Sequence, residues 1–277
     1  STPFNLAPWA ADLADVVTNI NGRGRDVLLT ANYRQTLSLG TARHLVIVGG
    51  IIDATDYIDT NACANDELNQ FMNGALVNAV LVAPPSYDYG GAIISEVGRT
   101  ALRAVYMNVG ANDNGASYNY FAGELAQGFD TRWGTGNVRV LVSGTDATFA
   151  TPDGRDLAQQ FGVSVSADQT ISDAFGLFAR AGWQLDSAAV DYGAEITAGA
   201  QLKGAFWGRE HDTAGLGAGV LFGGNLDLER TFVAELYYRA TIREGFNITL
   251  DLQAMRDERR ANTVHGVIAG LRATASF

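Results

Sequence analysis

The sequence predicts an all-β chain folded as a transmembrane antiparallel β-barrel of about 14 strands, within a range of about 12–16, preceded by a short N-terminal helix. Three observations predict it. Segment after segment alternates apolar and polar residues with the period of an extended strand. These segments are each near the 9 to 11 residues that a tilted strand needs to cross a bilayer, roughly as for known barrels. And no stretch of the 277 residues approaches the roughly 18 consecutive apolar residues of a spanning helix. Glycine is abundant at 32 and proline scarce at 5, as expected where strands lie close and turn tightly.

Residues 1–25 differ from the rest. Pro8 followed by Trp9, Leu13, Val16 and Val17, with Asp12 and Asp15 near the start, reads as a short helix ended by Asn21-Gly22 and Arg23-Gly24. It is expected to plug the lumen or to seal one rim. Residues 26–277 are the expected barrel. Val27 to Leu39 and Arg43 to Ile52 form a hairpin around Gly40, and the second of these strands is apolar on both faces. Residues 53–89 are the longest irregular segment. A short helix is expected over Asn65 to Leu76, Pro84-Pro85 closes the excursion, and the even strand counts of bacterial barrels place one further strand inside it.

The remainder is regular. Ile93 to Val97 and Ala101 to Val109 flank Gly98-Arg99, and Tyr118 to Phe129, Asn137 to Gly144, Gln160 to Ala167 and Ala174 to Leu185 follow. Ala194 to Phe206, Ala214 to Phe222, Thr231 to Arg243, Phe246 to Met255 and Val264 to Phe277 complete the series. In Thr231 to Arg243, Phe232, Ala234, Leu236, Tyr238, Ala240 and Ile242 share one face, while Glu235, Tyr237, Arg239 and Arg243 share the other. Only the apolar face can meet lipid. A soluble sandwich would also alternate, but its polar face would be rich in Lys and Glu. Here it carries Arg, Tyr, Gln, Thr and Asp, as a water-filled lumen would. Tyr238, Trp183, Trp207 and Phe277 are candidates for aromatic girdles at the membrane interfaces.

Charge and composition exclude several functions. A net charge of −11 argues against neutralising the phosphates of a nucleic acid. Cys63 is the single cysteine, so there is no intrachain disulfide and no cysteine-rich zinc or iron–sulfur site, and no CxxCH haem attachment occurs. No cofactor and no metal are expected. Asp53, Asp56, Asp59, Asn61, Asp66 and Glu67 supply enough oxygens for Ca²⁺ but lack EF-hand spacing; a solvated loop, or one folded into the pore as a constriction, accounts for them better. His44, His211 and His265 are scattered, and no serine lies in a GxSxG context, so the chain is not expected to be an enzyme.

The terminal strand, ending in Phe277, resembles the closing strand of bacterial outer-membrane β-barrels, whose final Phe is recognised by the assembly machinery. More of the chain carries a second likeness. Phe178-Ala179-Arg180-Ala181-Gly182-Trp183, Trp207-Gly208-Arg209-Glu210-His211-Asp212, Glu235-Leu236-Tyr237-Tyr238-Arg239, Asp251-Leu252-Gln253 and Gly270-Leu271-Arg272 follow in order. Gly50-Ile51-Ile52-Asp53, Asp59-Thr60-Asn61, Ala64-Asn65-Asp66-Glu67 and Gln70-Phe71 precede them. In order and spacing these resemble the carbohydrate-selective porin family of OprB. The resemblance implies passive diffusion of small hydrophilic solutes, sugars above all, through the outer membrane of a Gram-negative cell. It also implies outer-membrane lipid as surroundings, a signal peptide already removed, and a homo-trimer, as in many porins of this general shape. Family members are typically longer, with about 16 strands, so the width of the pore is left open.

Sugar selection needs hydrogen-bond donors and acceptors around a narrow aqueous path. Arg34, Arg180, Arg209, Arg239 and Arg243, with Glu235, Tyr237, Asp251 and Gln253, supply such a lining. Arginine's planar fork holds vicinal hydroxyls and carboxylates alike, so sugar acids fit the same lining. The plainer reading of each residue is a lumenal ion pair that stiffens the wall. A plugged barrel that anchors another component, or an outer-membrane hydrolase, are the alternative functions.

Overall fold

The computed structural model describes residues 4–6, 19–25, 27–185 and 187–276. The expected helix around residues 8–17 and the closing Phe277 lie outside the described residues. Thirteen strands form one antiparallel sheet in which each strand bonds to its neighbours in sequence. They are β1 (Ala31–Ser38), β2 (Arg43–Ile52), β3 (Asp88–Val97), β4 (Thr100–Val109), β5 (Tyr118–Asp130), β6 (Thr135–Thr145), β9 (Phe161–Ser172), β10 (Phe175–Gln184), β11 (Tyr192–Lys203), β12 (Thr213–Gly223), β13 (Leu228–Arg243), β14 (Phe246–Arg259) and β15 (Thr263–Ala275). A two-residue pair, β7 (Phe149–Ala150) with β8 (Leu157–Ala158), decorates the connection between β6 and β9. The fold is the expected transmembrane β-barrel.

The register builds a continuous apolar outer wall. Ile47 lies opposite Ile93, Leu102 opposite Leu125, Leu125 opposite Val140, and Val140 opposite Val165. Further round, Leu216 faces Leu236, Leu236 faces Leu252, and Leu250 faces Leu271. All of these side chains are exposed, or nearly half-exposed, on the outside. A water-facing surface would not expose such a belt, and a lipid-facing one requires it. Aromatic residues mark its ends. Tyr89, Tyr106, Phe121 and Trp183 stand at one rim, and Trp133, Trp207 and Tyr238 at the other, with the Trp207 and Tyr238 rings 6.0 Å apart.

The two rims differ in their connections. One carries the turns 39–42, 98–99, 131–134, 173–174 and 244–245 and the somewhat longer 204–212; the other carries 110–117, 146–160 and the inserted segment 53–87, together with the short 224–227 and 260–262.

That segment contains no strand of the sheet, which corrects the expectation of a hidden strand there. Nor does a helix span Asn65 to Leu76. The helix α1 is a single turn, Gly74–Val77, capped by the Asn73 side chain, which accepts from the Ala75 amide at 3.0 Å. Two competing interactions explain this. The Asp66 carboxylate takes the Leu68 and Asn69 amides, each at 2.9 Å, and closes a turn. The Met72 and Asn73 amides donate to Glu235 of the wall at 2.6 and 2.8 Å, so neither enters a helix. Lumenal backbone has no sheet edge to join, and its polar groups are satisfied by inward side chains instead.

The segment fills the barrel in two packed clusters. Ala54, Tyr57, Ile58, Ala79 and Val82 pack on the inward residues of β2–β6, among them Val46, Val48, Ile94, Val105, Met107 and Leu141. This explains why Arg43–Ile52 is apolar on both faces: one face meets lipid and the other meets the segment. Cys63, Ala64, Phe71, Ala75, Leu76 and Leu81 pack on Phe178, Leu221, Val233, Tyr237 and Met255 from the opposite wall, with Phe4 and Leu6 beside them. Glycine makes room where the approach is closest. A Cβ on Gly217 would sit 3.0 Å from the Phe71 ring, and one on Gly162 would collide with the Leu81 carbonyl.

Candidate functional site: the filled lumen

The inward positions of the strands decide what the lumen can do, and several of the polar ones hold the inserted segment. Arg180, from the middle of β10, is fully buried. Its Nε lies 2.9 Å from Asp59 Oδ2, its Nη1 donates to the Leu76 carbonyl at 2.9 Å, and its Nη2 donates to the carbonyls of Val77, at 3.1 Å, and Ala64. Asp59 in turn accepts from the Ala79 amide at 2.8 Å, while its own amide donates to Glu124 of β5 at 2.5 Å. Glu124 is completed by Arg103 of β4. One chain of buried charge therefore runs from one wall through the segment to the other. Such a network holds only when every member is satisfied.

The other anchors follow the same rule. Asn73 Nδ2 donates to Gln253 Oε1 at 2.9 Å, and Gln253 Nε2 donates to Asp251 Oδ1 at 2.9 Å. Tyr237 is fully buried, its hydroxyl accepting from Gln201 at 3.0 Å and its ring edge-on to Phe71 at 5.0 Å. Arg272 of β15 donates to the carbonyls of Glu67 and, at 2.9 Å, Gln70. Tyr120 donates to the Val82 carbonyl at 2.9 Å, and Arg139 pairs with Asp168 at 2.5 Å.

Of the nine residues expected to line the lumen, Arg180, Glu235, Tyr237, Asp251 and Gln253 are thus brought together beneath the segment. Arg34 is exposed and lies opposite the inward Val48. Arg239 is half-buried and donates to Asn69 at 3.1 Å. Arg243 is exposed at the short-turn end of β13. Arg209 sits in the 204–212 connection, half-exposed and 2.5 Å from Asp212, whose other partners are Tyr238 and the Thr241 amide at 3.0 Å. Sequence reasoning missed Arg103, Glu124, Arg139 and Arg272. The same alternation that singled out Arg180 places all four on inward positions, so the signal was present.

Space remains beside the segment and within it. Glu96, Arg103, Asn137 and Arg139 line a cavity of about 430 Å³ toward the short-turn rim. Asp53, Glu67 and Tyr87 line another of about 410 Å³ within the segment itself. Burial pushes the carboxyls of Asp53, Asp56 and Glu67 above the usual carboxylate range; for Asp53 this outweighs the two hydrogen bonds from Thr55. The acidic residues are otherwise engaged: Asp59 with Arg180, Asp66 in its turn, and Asn61 with Ser166 at 3.1 Å. Among the described residues no group of three His, Cys, Asp or Glu side chains is placed to hold a metal ion. His44 lies on β2, His211 in the 204–212 connection and His265 on the outer face of β15.

A membrane barrel whose own loop folds inward has the architecture of an outer-membrane channel. The comparisons agree with that class. The family model for carbohydrate-selective porins, the OprB family, matches residues 121–277, more than half of the chain, and the protein belongs to that family. It is therefore a porin of the outer membrane and, by family and fold, a channel rather than an enzyme. An uncharacterized protein of Aquifex aeolicus (strain VF5) is 27% identical over 256 residues, spanning 92% of this chain and 72% of the relative. The high-pH structure of Pseudomonas putida OprB superposes with a TM-score of 0.73 at 15% identity, covering 94% of this chain and 76% of that one. The outer membrane channel DcaP of Acinetobacter baumannii gives a TM-score of 0.56 at 13% identity, over 89% of this chain and 84% of that one. At these identities the two structures speak for the fold.

Proposed function

We propose that this porin passes small hydrophilic solutes, sugars or sugar acids, around the inserted segment 53–87, which sets the width of the path. The carrying observation is the segment itself, held across the lumen by Arg180, Glu124, Glu235 and Arg272 with polar space beside it. In this reading the predicted lining divides in two. Arg180, Glu235, Tyr237, Asp251 and Gln253 position the segment. Arg34, Arg209, Arg239 and Arg243, joined by Arg103 of the short-turn cavity, are the groups a solute meets. Guanidinium forks beside carboxylates and an amide suit a ligand covered in hydroxyls.

The short-turn rim faces the periplasm in this reading and the long-connection rim the exterior, as the asymmetry of turns in outer-membrane barrels implies. A trimer is the proposed assembly.

The test is single-channel recording in a planar bilayer, titrating glucose and then gluconate. Steps that close progressively with added solute support the reading and rank the substrates. A silent bilayer, with insertion of the protein shown independently, would contradict it in favour of a plugged barrel, which the filled lumen also accommodates.

A further inference from the structure

The outer wall carries bulky apolar residues over much of its area, and its longest run of small ones lies across β9–β14. Ala167 lies opposite Ala179, Ala179 opposite Ala198, Ala198 opposite Ala218, Ala218 opposite Ala234, and Ala234 opposite Ala254, so six adjacent strands, β9–β14, are low along one line. The result is an apolar groove of about 630 Å³ walled by Ile196, Val220 and Phe232. Arg256 lines its end toward the long-connection rim. There the Arg230 and Arg256 guanidiniums lie over the Phe232 ring, 5.5 and 5.9 Å from its centre, and Arg230 also lies over Phe222 at 5.7 Å. Both arginine side chains are about half exposed, and among the described residues they share one acidic partner, Glu258, 2.7 Å from Arg256 and 4.0 Å from Arg230. Two cations and one carboxylate therefore stand outside the barrel at the level of the aromatic girdle, where lipid headgroups begin.

We propose that this groove is a binding site for an anionic lipid, with one acyl chain lying over the alanines and the headgroup phosphate held by Arg230 and Arg256. Charge complementarity selects the occupant. The arginine pair lacks one negative charge, and a phosphate supplies it with oxygens spaced for guanidinium forks. Apolar chain continues directly from that phosphate over the alanines of the groove, whereas the flat wall of a second barrel would leave the groove empty. The stacked aromatic rings hold the guanidiniums toward the headgroup layer, so the site is formed before lipid arrives. The site is independent of which solute the pore carries.

Native mass spectrometry of the full chain in detergent tests this, with bis-phosphorylated lipid A, the same lipid stripped of its phosphates, and inorganic phosphate as probes. The phosphorylated lipid should bind, and removing its phosphates or making R230Q/R256Q should weaken binding by roughly tenfold or more. Ala234→Phe, which fills the groove and keeps both arginines, should weaken it as well, and inorganic phosphate should not compete. R132Q is the control, because Arg132 also lies over an aromatic ring, that of Trp133 at 4.5 Å, but at the opposite rim and away from the groove. Heat-modifiable gel migration confirms that each variant is folded. Equal affinity for the two lipids, indifference to R230Q/R256Q, competition by inorganic phosphate alone, or a second copy of the chain seated on the groove would each overturn the proposal.

Discussion

Glu235 and Leu236 are neighbours in sequence and live in opposite surroundings: the first is 1% exposed inside the barrel and the second 51% exposed outside it. The outer wall is organised by one demand, that nothing polar face the lipid core, and it is met by repetition. The inner wall is organised by particular partners. Arg180 is bound to Asp59 and to three carbonyls of the segment, Glu235 to two amides, and none of these contacts repeats on the next strand. A wall of repeats tolerates change in proportion to depth in the membrane, and a wall of partners fails at single residues.

Substitutions on the two faces should separate these modes. The largest effect is expected from Arg180→Ala, which leaves Asp59 as a buried unpaired charge and frees three carbonyls. Breaking a buried pair in this way costs about 3–5 kcal/mol. Denaturant unfolding should register that loss, and released segments should appear as larger, irregular conductance steps. Leu236→Arg places a charge in the lipid-facing belt and should cost about 2–4 kcal/mol, with the segment still seated and the conductance of folded protein unchanged.

Acidity offers a milder handle on the inner wall alone. Asp53, Asp56 and Glu67 have carboxyls raised by burial, so the folded chain keeps protons that the unfolded chain releases. Stability from these groups is complete below the ordinary carboxylate range, about pH 4, and declines as pH rises through their raised values. The segment should sit most firmly in acid, and mean conductance recorded from pH 4 upward should rise; a fall would contradict the sign. The smallest change is expected from Arg99→Gln. Its partner Asp130 is at 2.5 Å, but both side chains are more than half exposed, so thermal unfolding should shift by the equivalent of about 0–1 kcal/mol.

The same contrast explains what could be read from the sequence. The thirteen strands of the sheet fall where the alternation put them, because lipid imposes a uniform rule on every outward residue. The inward residues obey no such rule. Arginine facing water and arginine facing a folded segment look alike in a periodic pattern, so the alternation alone does not show that the immediate partners of Arg180 and Glu235 are the Asp59 carboxylate and backbone groups of residues 64–77. The inward apolar face of Arg43–Ile52 was visible from the start, and with it the need for something apolar inside the barrel. What periodicity cannot give is the path of the segment, since its turns are set by Glu235, Glu124 and Arg180 from strands distant in sequence.

The central claim is that residues 53–87 lie across the lumen and set the pore. The most direct test is single-channel conductance of the native protein against Glu235→Ala, which removes the acceptor of the Met72 and Asn73 amides while leaving the outer wall intact. Small, glucose-sensitive steps are expected in the native protein and larger, glucose-insensitive steps in the variant. Identical steps with identical glucose block in a folded, inserted variant would show that the segment does not set the pore.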